Sequence, residues 1–170
     1  MKEELARPPL ARAPGSGLMR YHHFQVAYAT NDIDRACADF GDRFGIRKWQ
    51  RLEGPTPQGG FVRIELGWAG GTMYELVSGQ GAGAEVFHNV LPAGRYALKM
   101  HHLGYLVANE EAWNGLLSDI EQSPYSIIHR TSVPGFLQAI IVDVPELGHY
   151  LEYIFPEEAG VAFFENTPGN

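Results

Sequence analysis

Hydrophobic and polar positions predict the same order of elements in each half of the chain. Residues 22–30 are rich in strand-forming side chains, and Asp32 follows as a helix N-cap before apolar positions at helical spacing. Residues 100–107 and Asn109 repeat this arrangement. Three more strands are predicted after each helix, at about 46–52, 61–67 and 72–78 in the first half and about 125–131, 136–143 and 149–155 in the second. The sequence therefore predicts two βαβββ units.

These units divide the chain into five expected segments. They are a flexible N-terminal arm at 1–19, a first module at 20–79, a glycine-rich linker or flap at 80–98, a second module at 99–156 and a C-terminal tail at 157–170. In the tail, Phe163 and Phe164 should pack on the body or on a partner subunit. A single βαβββ sheet leaves an apolar face and open edges, which predicts that modules pair within the chain or in a homodimer.

Polar residues recur in the two halves at a constant offset. Gln25 corresponds to His102, and Glu75 corresponds to Glu152, each pair being 77 residues apart. Both glutamates lie in strands that are otherwise largely apolar, where an ionised carboxylate costs several kcal/mol unless a cation or donors meet it. Taken singly, each of these residue types in a strand is more often a surface or core residue. Their shared offset favours one common site.

The ligand chemistry of this set is suited to a metal. If the two sheets face each other about a pseudo-twofold axis, Gln25, Glu75, His102 and Glu152 come together. One amide oxygen, one imidazole and two carboxylates would neutralise a divalent cation, and Zn, Ni, Co, Mn, Mg and Fe all accept such ligands. The sequence does not choose among these metals.

Composition restricts the partners. Hydrophobic residues make up 45% and aromatic residues 12% of the chain, which is typical of a globular protein. The net charge of −7 argues against nucleic acid or an anionic membrane as the main partner. The expected partner is a small-molecule substrate. The single cysteine, Cys37, is expected to be a core thiol on the apolar side of the first helix, and it fits a reducing compartment. With no apolar run of signal or membrane length, the expected location is cytoplasmic.

Four short motifs stand at these positions: QVAYATNDI from Gln25, MYEL around Glu75, HLGYLV from His102 and LGHYLE ending at Glu152. In order and spacing they resemble the vicinal oxygen chelate superfamily, which includes glyoxalase I, methylmalonyl-CoA epimerase, extradiol dioxygenases and bleomycin-resistance proteins. The resemblance covers residues 22–155. It implies an α+β fold in which two tandem βαβββ modules form facing curved mixed sheets around a central metal cavity, with these four residues as metal ligands.

The chemistry that fits this ligand set is proton removal next to a carbonyl. The metal polarises the substrate oxygens and stabilises an enediolate, while a carboxylate shuttles the proton. Glu152 is the preferred base, and Glu75 could exchange roles with it. We therefore expect a glyoxalase-like lyase, isomerase or epimerase acting on a small, partly apolar substrate. Two alternatives stay open: a non-catalytic small-molecule-binding protein of the resistance or carrier type, and an extradiol dioxygenase.

The dioxygenase alternative depends on a second histidine. Gln25 stands where the first iron-binding histidine of that branch would be. His23 lies two residues earlier on the same face, and a shift of about 6 to 7 Å along the strand argues against its taking that place. Strict alternation turns His22 and His101 to the opposite face, where we expect structural or solvent-facing residues. No role is assigned to the other histidines, His88, His129 and His149.

Overall fold

The βαβββ order occurs twice in the computed structural model, which describes residues 17–170. Its strands are β1 (His22–Thr30), β2 (Gln50–Pro55), β3 (Phe61–Ala69), β4 (Thr72–Gln80), β5 (Leu98–Leu106), β6 (Ser126–Val133), β7 (Leu137–Asp143) and β8 (Tyr150–Pro156). Its helices are α1 (Ile33–Phe44), α2 (Glu85–His88), α3 (Glu110–Glu121) and α4 (Glu158–Glu165). Within this part of the chain, no helix is long and apolar enough to cross a membrane.

The strands form one mixed sheet in the order β2-β3-β4-β1-β5-β8-β7-β6. The halves meet where β1 pairs antiparallel with β5. In the parallel pairs, Gln25 lies opposite Met73 on β4, and His102 lies opposite Tyr150 on β8, so the register repeats with the offset seen in the sequence. The α+β fold of two tandem modules is confirmed.

The sheet curls so that its two halves face each other. Leu66 on β3 and Leu137 on β7 lie far apart in the strand order, yet both belong to one buried cluster with Met73 and Ile154. Strand twist of a fixed hand produces such curling in a sheet of this width. The two expected facing sheets are thus the two halves of one continuous sheet, joined along β1 and β5.

Helices α1 and α3 cover the outer face of the sheet. Each begins at the predicted N-cap: Asp32 accepts from the backbone N–H of Arg35 at 3.0 Å, and Asn109 accepts from that of Ala112 at 2.8 Å. The apolar stripes of these helices pack against the sheet through Ile33, Ala36 and Phe40 on α1 and Trp113, Leu116 and Ile120 on α3. Burying each large side chain contributes about 1.5–3 kcal/mol, which fixes the helices on this face.

One strand prediction was wrong at its start. The segment predicted at 46–52 becomes a strand only at Gln50. The backbone N–H groups of Arg47 and Lys48 both donate to the side-chain oxygen of Asn170 at 2.8 Å, so this side chain takes the place of a strand partner there. This long-range contact has no local signature in the sequence.

The segments outside the modules also pack on the body. Phe164 in α4 meets Phe24 edge-on at a centroid distance of 5.8 Å, so the tail aromatic packs within its own chain. Helix α2 places Phe87 in a buried cluster with Ala29 and Val77, on the inner face of the sheet. Of the expected N-terminal arm, residues 1–16 lie outside the described residues, and Leu18 accepts a hydrogen bond from Tyr153 at 2.9 Å.

Candidate metal site

Four neighbouring strands bring the predicted ligands together. Glu75 on β4, Gln25 on β1, His102 on β5 and Glu152 on β8 come from consecutive positions in the sheet order. His102 Nε2 lies 3.0 Å from Glu152 Oε2 and 3.9 Å from Glu75 Oε1. One ligand atom from each of these three residues lies within 4.8 Å of the others, and the Gln25 side-chain N–H donates to Glu75.

The cluster is buried and incompletely hydrogen-bonded. Gln25 and His102 are fully buried, Glu75 is 5% exposed, and the Glu152 side chain is 14% exposed. Gln25 Oε1 has no hydrogen-bond partner among the described residues, and His102 Nε2 makes no well-aligned hydrogen bond although it lies 3.0 Å from Glu152 Oε2. A buried polar atom without a partner costs about 1–3 kcal/mol. A divalent cation would occupy both atoms and balance the two carboxylates, so this donor set fits a metal.

A glycine on β5 makes room for the amide. Gly104 pairs with Gln25 on one side and with Glu152 on the other. A Cβ at position 104 would lie 2.8 Å from both Cβ and Oε1 of Gln25, which is closer than real Cβ atoms come. The missing side chain therefore allows Gln25 to fold across β5 toward the cluster.

A β-bulge turns two consecutive histidines toward the same region. Ala27 pairs with His102, whereas Tyr28 pairs with Met100, so His101 is the extra residue of the bulge. His101 is 1% exposed, and its Nδ1 lies 2.8 Å from His102 Nδ1. His101 was expected on the face opposite His102, as a structural or solvent-facing residue. It is instead buried beside His102, because strict alternation fails at a bulge.

His101 also reaches helix α2. Its Nε2 lies 2.9 Å from the carbonyl oxygen of Val86, and its ring packs against Phe87 at a centroid distance of 5.4 Å. Burial lowers the pKa of His101 to about 4, and the neighbouring charge of His102 acts in the same direction. His101 is the residue that sequence reasoning missed; an adjacent His-His pair at the start of a strand was the only signal for it.

His23 lies outside the cluster. It is exposed at the start of β1, where its Nε2 lies 3.0 Å from the carbonyl oxygen of Gln25 and its ring packs on Tyr105. A second bulge between His23 and Gln25 separates the two along the strand. Among the described residues, His102 is the one histidine grouped with the two glutamates.

The two carboxylates differ in their acidity. Burial raises the pKa of Glu75 to about 7, with the charge of His102 opposing and that of Glu152 adding to the increase. Burial acts on Glu152 in the same sense, but the charge and contact of His102, together with the charges of His101 and His129, lower the pKa of Glu152 overall. Burial tends to lower the pKa of His102, and the charge and contact of Glu152, together with the charge of Glu75, raise it overall. Paired groups with divergent pKa values are typical of acid–base sites.

The comparisons with known proteins agree with this architecture. No protein-family model matches the chain, and no curated protein matches it. Its structure is similar to that of methylmalonyl-CoA epimerase from Mycobacterium tuberculosis, with 16% identity, a TM-score of 0.61, and coverage of 89% of this chain and 97% of that one. A variant of the Streptomyces coelicolor methylmalonyl-CoA epimerase, bound to 2-nitronate-propionyl-CoA, matches with 14% identity, a TM-score of 0.55, and coverage of 82% and 96%.

A third similar structure is a hypothetical protein from Bacillus halodurans, with 13% identity, a TM-score of 0.55, and coverage of 80% of this chain and 94% of that one. These identities are low, so the likeness concerns the fold. The chain therefore has the fold of the vicinal oxygen chelate superfamily, as its four motifs predicted.

Proposed function

We propose that this protein is a divalent-metal-dependent enzyme that moves a proton on the carbon next to a carbonyl group, as an epimerase, isomerase or glyoxalase-like lyase. The observation that carries the proposal is the buried group of Glu75, His102 and Glu152 with the adjacent amide of Gln25. Two of its polar atoms are unsatisfied, which is the condition a cation would relieve.

The four side chains would hold the metal through one atom each. Gln25 would use Oε1, His102 would use Nε2, and Glu75 and Glu152 would use carboxylate oxygens. A bound cation supplies a Lewis acid that polarises a substrate carbonyl. The protein contributes a largely buried site on the inner face of the sheet, where electrostatic interactions are stronger than in water.

Glu152 is the proposed base. Its side chain is the more exposed of the two glutamates, at 14% against 7%, so it is the carboxylate that a substrate reaches more easily. As a carboxylate it can accept a proton from the substrate carbon. Glu75, the second carboxylate of the cluster, is the group proposed to return a proton. In an epimerisation the proton must return on the opposite face of the same carbon, whereas in an isomerisation it must return to the adjacent atom.

The substrate class has support from the similar structures. One is a methylmalonyl-CoA epimerase in complex with methylmalonyl-CoA, and another holds 2-nitronate-propionyl-CoA. Both ligands are coenzyme A derivatives of short acyl groups. The inner face beside the cluster is apolar, with Met73 and Val77 flanking Glu75 on β4 and both fully buried. We therefore propose a small, partly apolar carbonyl substrate, with acyl thioesters as the first class to test.

Deuterium incorporation from heavy water tests this function. Methylmalonyl-CoA and the hemithioacetal of methylglyoxal and glutathione would be incubated with metal-loaded protein and with its Glu152→Gln variant, and deuterium at the reacting carbon would be measured by mass spectrometry. The parent should catalyse exchange with at least one substrate. Glu152→Gln should keep an oxygen for the metal and lose exchange, because an amide is not a base. Full exchange in this variant would assign the base to Glu75.

The alternatives give different results in the same experiment. A non-catalytic binding protein would bind a substrate, detected by titration calorimetry, without exchanging its proton. An extradiol dioxygenase would consume oxygen with a catechol, but a cluster with one histidine and two carboxylates does not match the two-histidine, one-carboxylate iron set of that branch. The proposed ligand set thus favours proton transfer.

We further propose a homodimer located in the cytoplasm. Strands β2 and β6 form the two outer edges of the sheet, and open edges favour contact with a second chain. The single cysteine fits a reducing compartment. Light scattering would measure the mass in solution, and a strictly monomeric mass would leave only the pairing of modules within the chain.

A further inference from the structure

We propose that His101 is a positioning residue that orients the ring of His102 and directs its Nε2 lone pair into the metal site. The inference deepens the proposed metal function and rests on it for its biological meaning. His101 itself lies outside the cluster of Glu75, His102 and Glu152.

The hydrogen-bond chain fixes the direction of every proton. A backbone carbonyl only accepts, so His101 Nε2 must donate to Val86 over their 2.9 Å separation. A neutral imidazole carries one proton, which leaves His101 Nδ1 as an acceptor. The 2.8 Å contact between the two Nδ1 atoms then requires His102 Nδ1 to donate. His102 Nε2 is the atom left for a cation.

The surroundings of His101 keep it neutral and in place. It is 1% exposed, and its ring is held between Phe87, at 5.4 Å, and Tyr150, at 5.1 Å. The bulge in β5 is what permits His101 and His102 to meet, because consecutive residues of a regular strand point to opposite faces.

Loss of His101 should allow His102 to adopt the tautomer that is protonated on Nε2. Without an acceptor at Nδ1, the ring of His102 can carry its proton on Nε2, where Glu152 Oε2 lies 3.0 Å away and would accept it. A protonated Nε2 cannot bind a metal. In metal sites of proteins, loss of the residue that holds the distal nitrogen of a histidine ligand costs about 10–100-fold in metal affinity.

The hydrogen bond between the rings can be measured directly in the parent protein. With ¹⁵N-labelled histidine and no metal, a through-hydrogen-bond N–N coupling should connect the Nδ1 atoms of His101 and His102. The chemical shifts should place the proton of His101 on Nε2. A proton on His101 Nδ1 would overturn the proposal, whether or not the protein binds a metal.

Zn²⁺ affinity in three variants tests the consequence. Competition with a chromophoric chelator should show His101→Leu weaker than the parent by about 10–100-fold. His101→Gln should retain more affinity, because its amide can accept from His102 and donate to Val86. His149→Leu is the control, since His149 lines the same cavity of about 190 Å³ as His101 and is not part of the hydrogen-bond chain.

The outcomes separate this proposal from the proposed function. Parent-like affinity in His101→Leu, or equal losses in the Leu and Gln variants, would overturn the positioning role. A parent protein that binds no Zn²⁺ would instead reject the metal function, and the N–N coupling would still decide whether His101 orients His102.

Discussion

Glu75→Gln should stabilise the metal-free protein at neutral pH and leave it nearly unchanged in mild acid. Burial raises the pKa of Glu75 from 4.5 to about 7. Between these values the folded protein holds a proton that the unfolded chain has released. The contribution of Glu75 to the free energy of unfolding is therefore fully present below pH 4.5 and is lost as the pH rises through 7. A shift of this size corresponds to on the order of 3 kcal/mol.

Comparing the variant with the parent separates the contribution of Glu75 to stability from that of His101, which also depends on pH. The pKa of His101 is lowered by burial to about 4, so its contribution has the opposite sign and is lost as the pH falls from 6.5 toward 4. Both proteins keep His101, and the difference between them cancels it. Glutamine is neutral at every pH and similar in shape, so it avoids the cost of a buried charge.

Urea denaturation in the presence of a chelator, at pH 5 and pH 8, measures the difference. The stability gain of Glu75→Gln should be small at pH 5 and should grow by up to about 3 kcal/mol at pH 8. An equal stability difference at the two pH values would refute the assignment of a costly buried charge to Glu75.

Three further predictions follow from local contacts. Gly104→Ala should lower the free energy of unfolding by about 1–3 kcal/mol, because the added methyl group would clash with Gln25. Gly115→Ala in α3 should raise it by about 0.5–1 kcal/mol in the same denaturation assay, because the methyl group would meet no atom closer than 3.7 Å. Destabilisation by both substitutions would reject the contact argument. Burial raises the pKa of Cys37 to about 11, so iodoacetamide at pH 8 should react far more slowly with folded than with unfolded protein, and equal rates would contradict this. Removal of Asn170 should accelerate hydrogen exchange at the backbone N–H groups of residues 47–48, which it holds at 2.8 Å, and unchanged exchange would show that the contact is dispensable.

Local patterns predicted most of the fold because the elements depend on short-range physics. The N-caps Asp32 and Asn109 and the helical spacing after them predicted both long helices, and the strand-forming side chains of residues 22–30 predicted β1. The internal offset predicted that the two halves correspond, and the two parallel pairs repeat with that offset. What local patterns could not supply was the role of Asn170, since a contact across more than a hundred residues leaves no periodic signal.

The four candidate ligands could be predicted from the sequence, whereas the position of His101 beside them could not. Gln25, Glu75, His102 and Glu152 recur at one offset, and the structure brings them together. The position of His101 depends on a bulge in β5, which shifts the pairing by one residue. A bulge is decided by the match between two strands and therefore could not be read from either strand alone.

The metal content of purified protein tests the central claim most directly. Parent, Glu152→Ala and the control Glu53→Ala, whose side chain is 42% exposed on β2, would be saturated with Zn²⁺, freed of excess metal and assayed by elemental analysis. The parent and Glu53→Ala should each retain about one equivalent, and Glu152→Ala should retain little, because a metal site loses affinity when one of its ligands is removed. Equal zinc in Glu152→Ala and the parent would contradict the assignment of this cluster as the metal site.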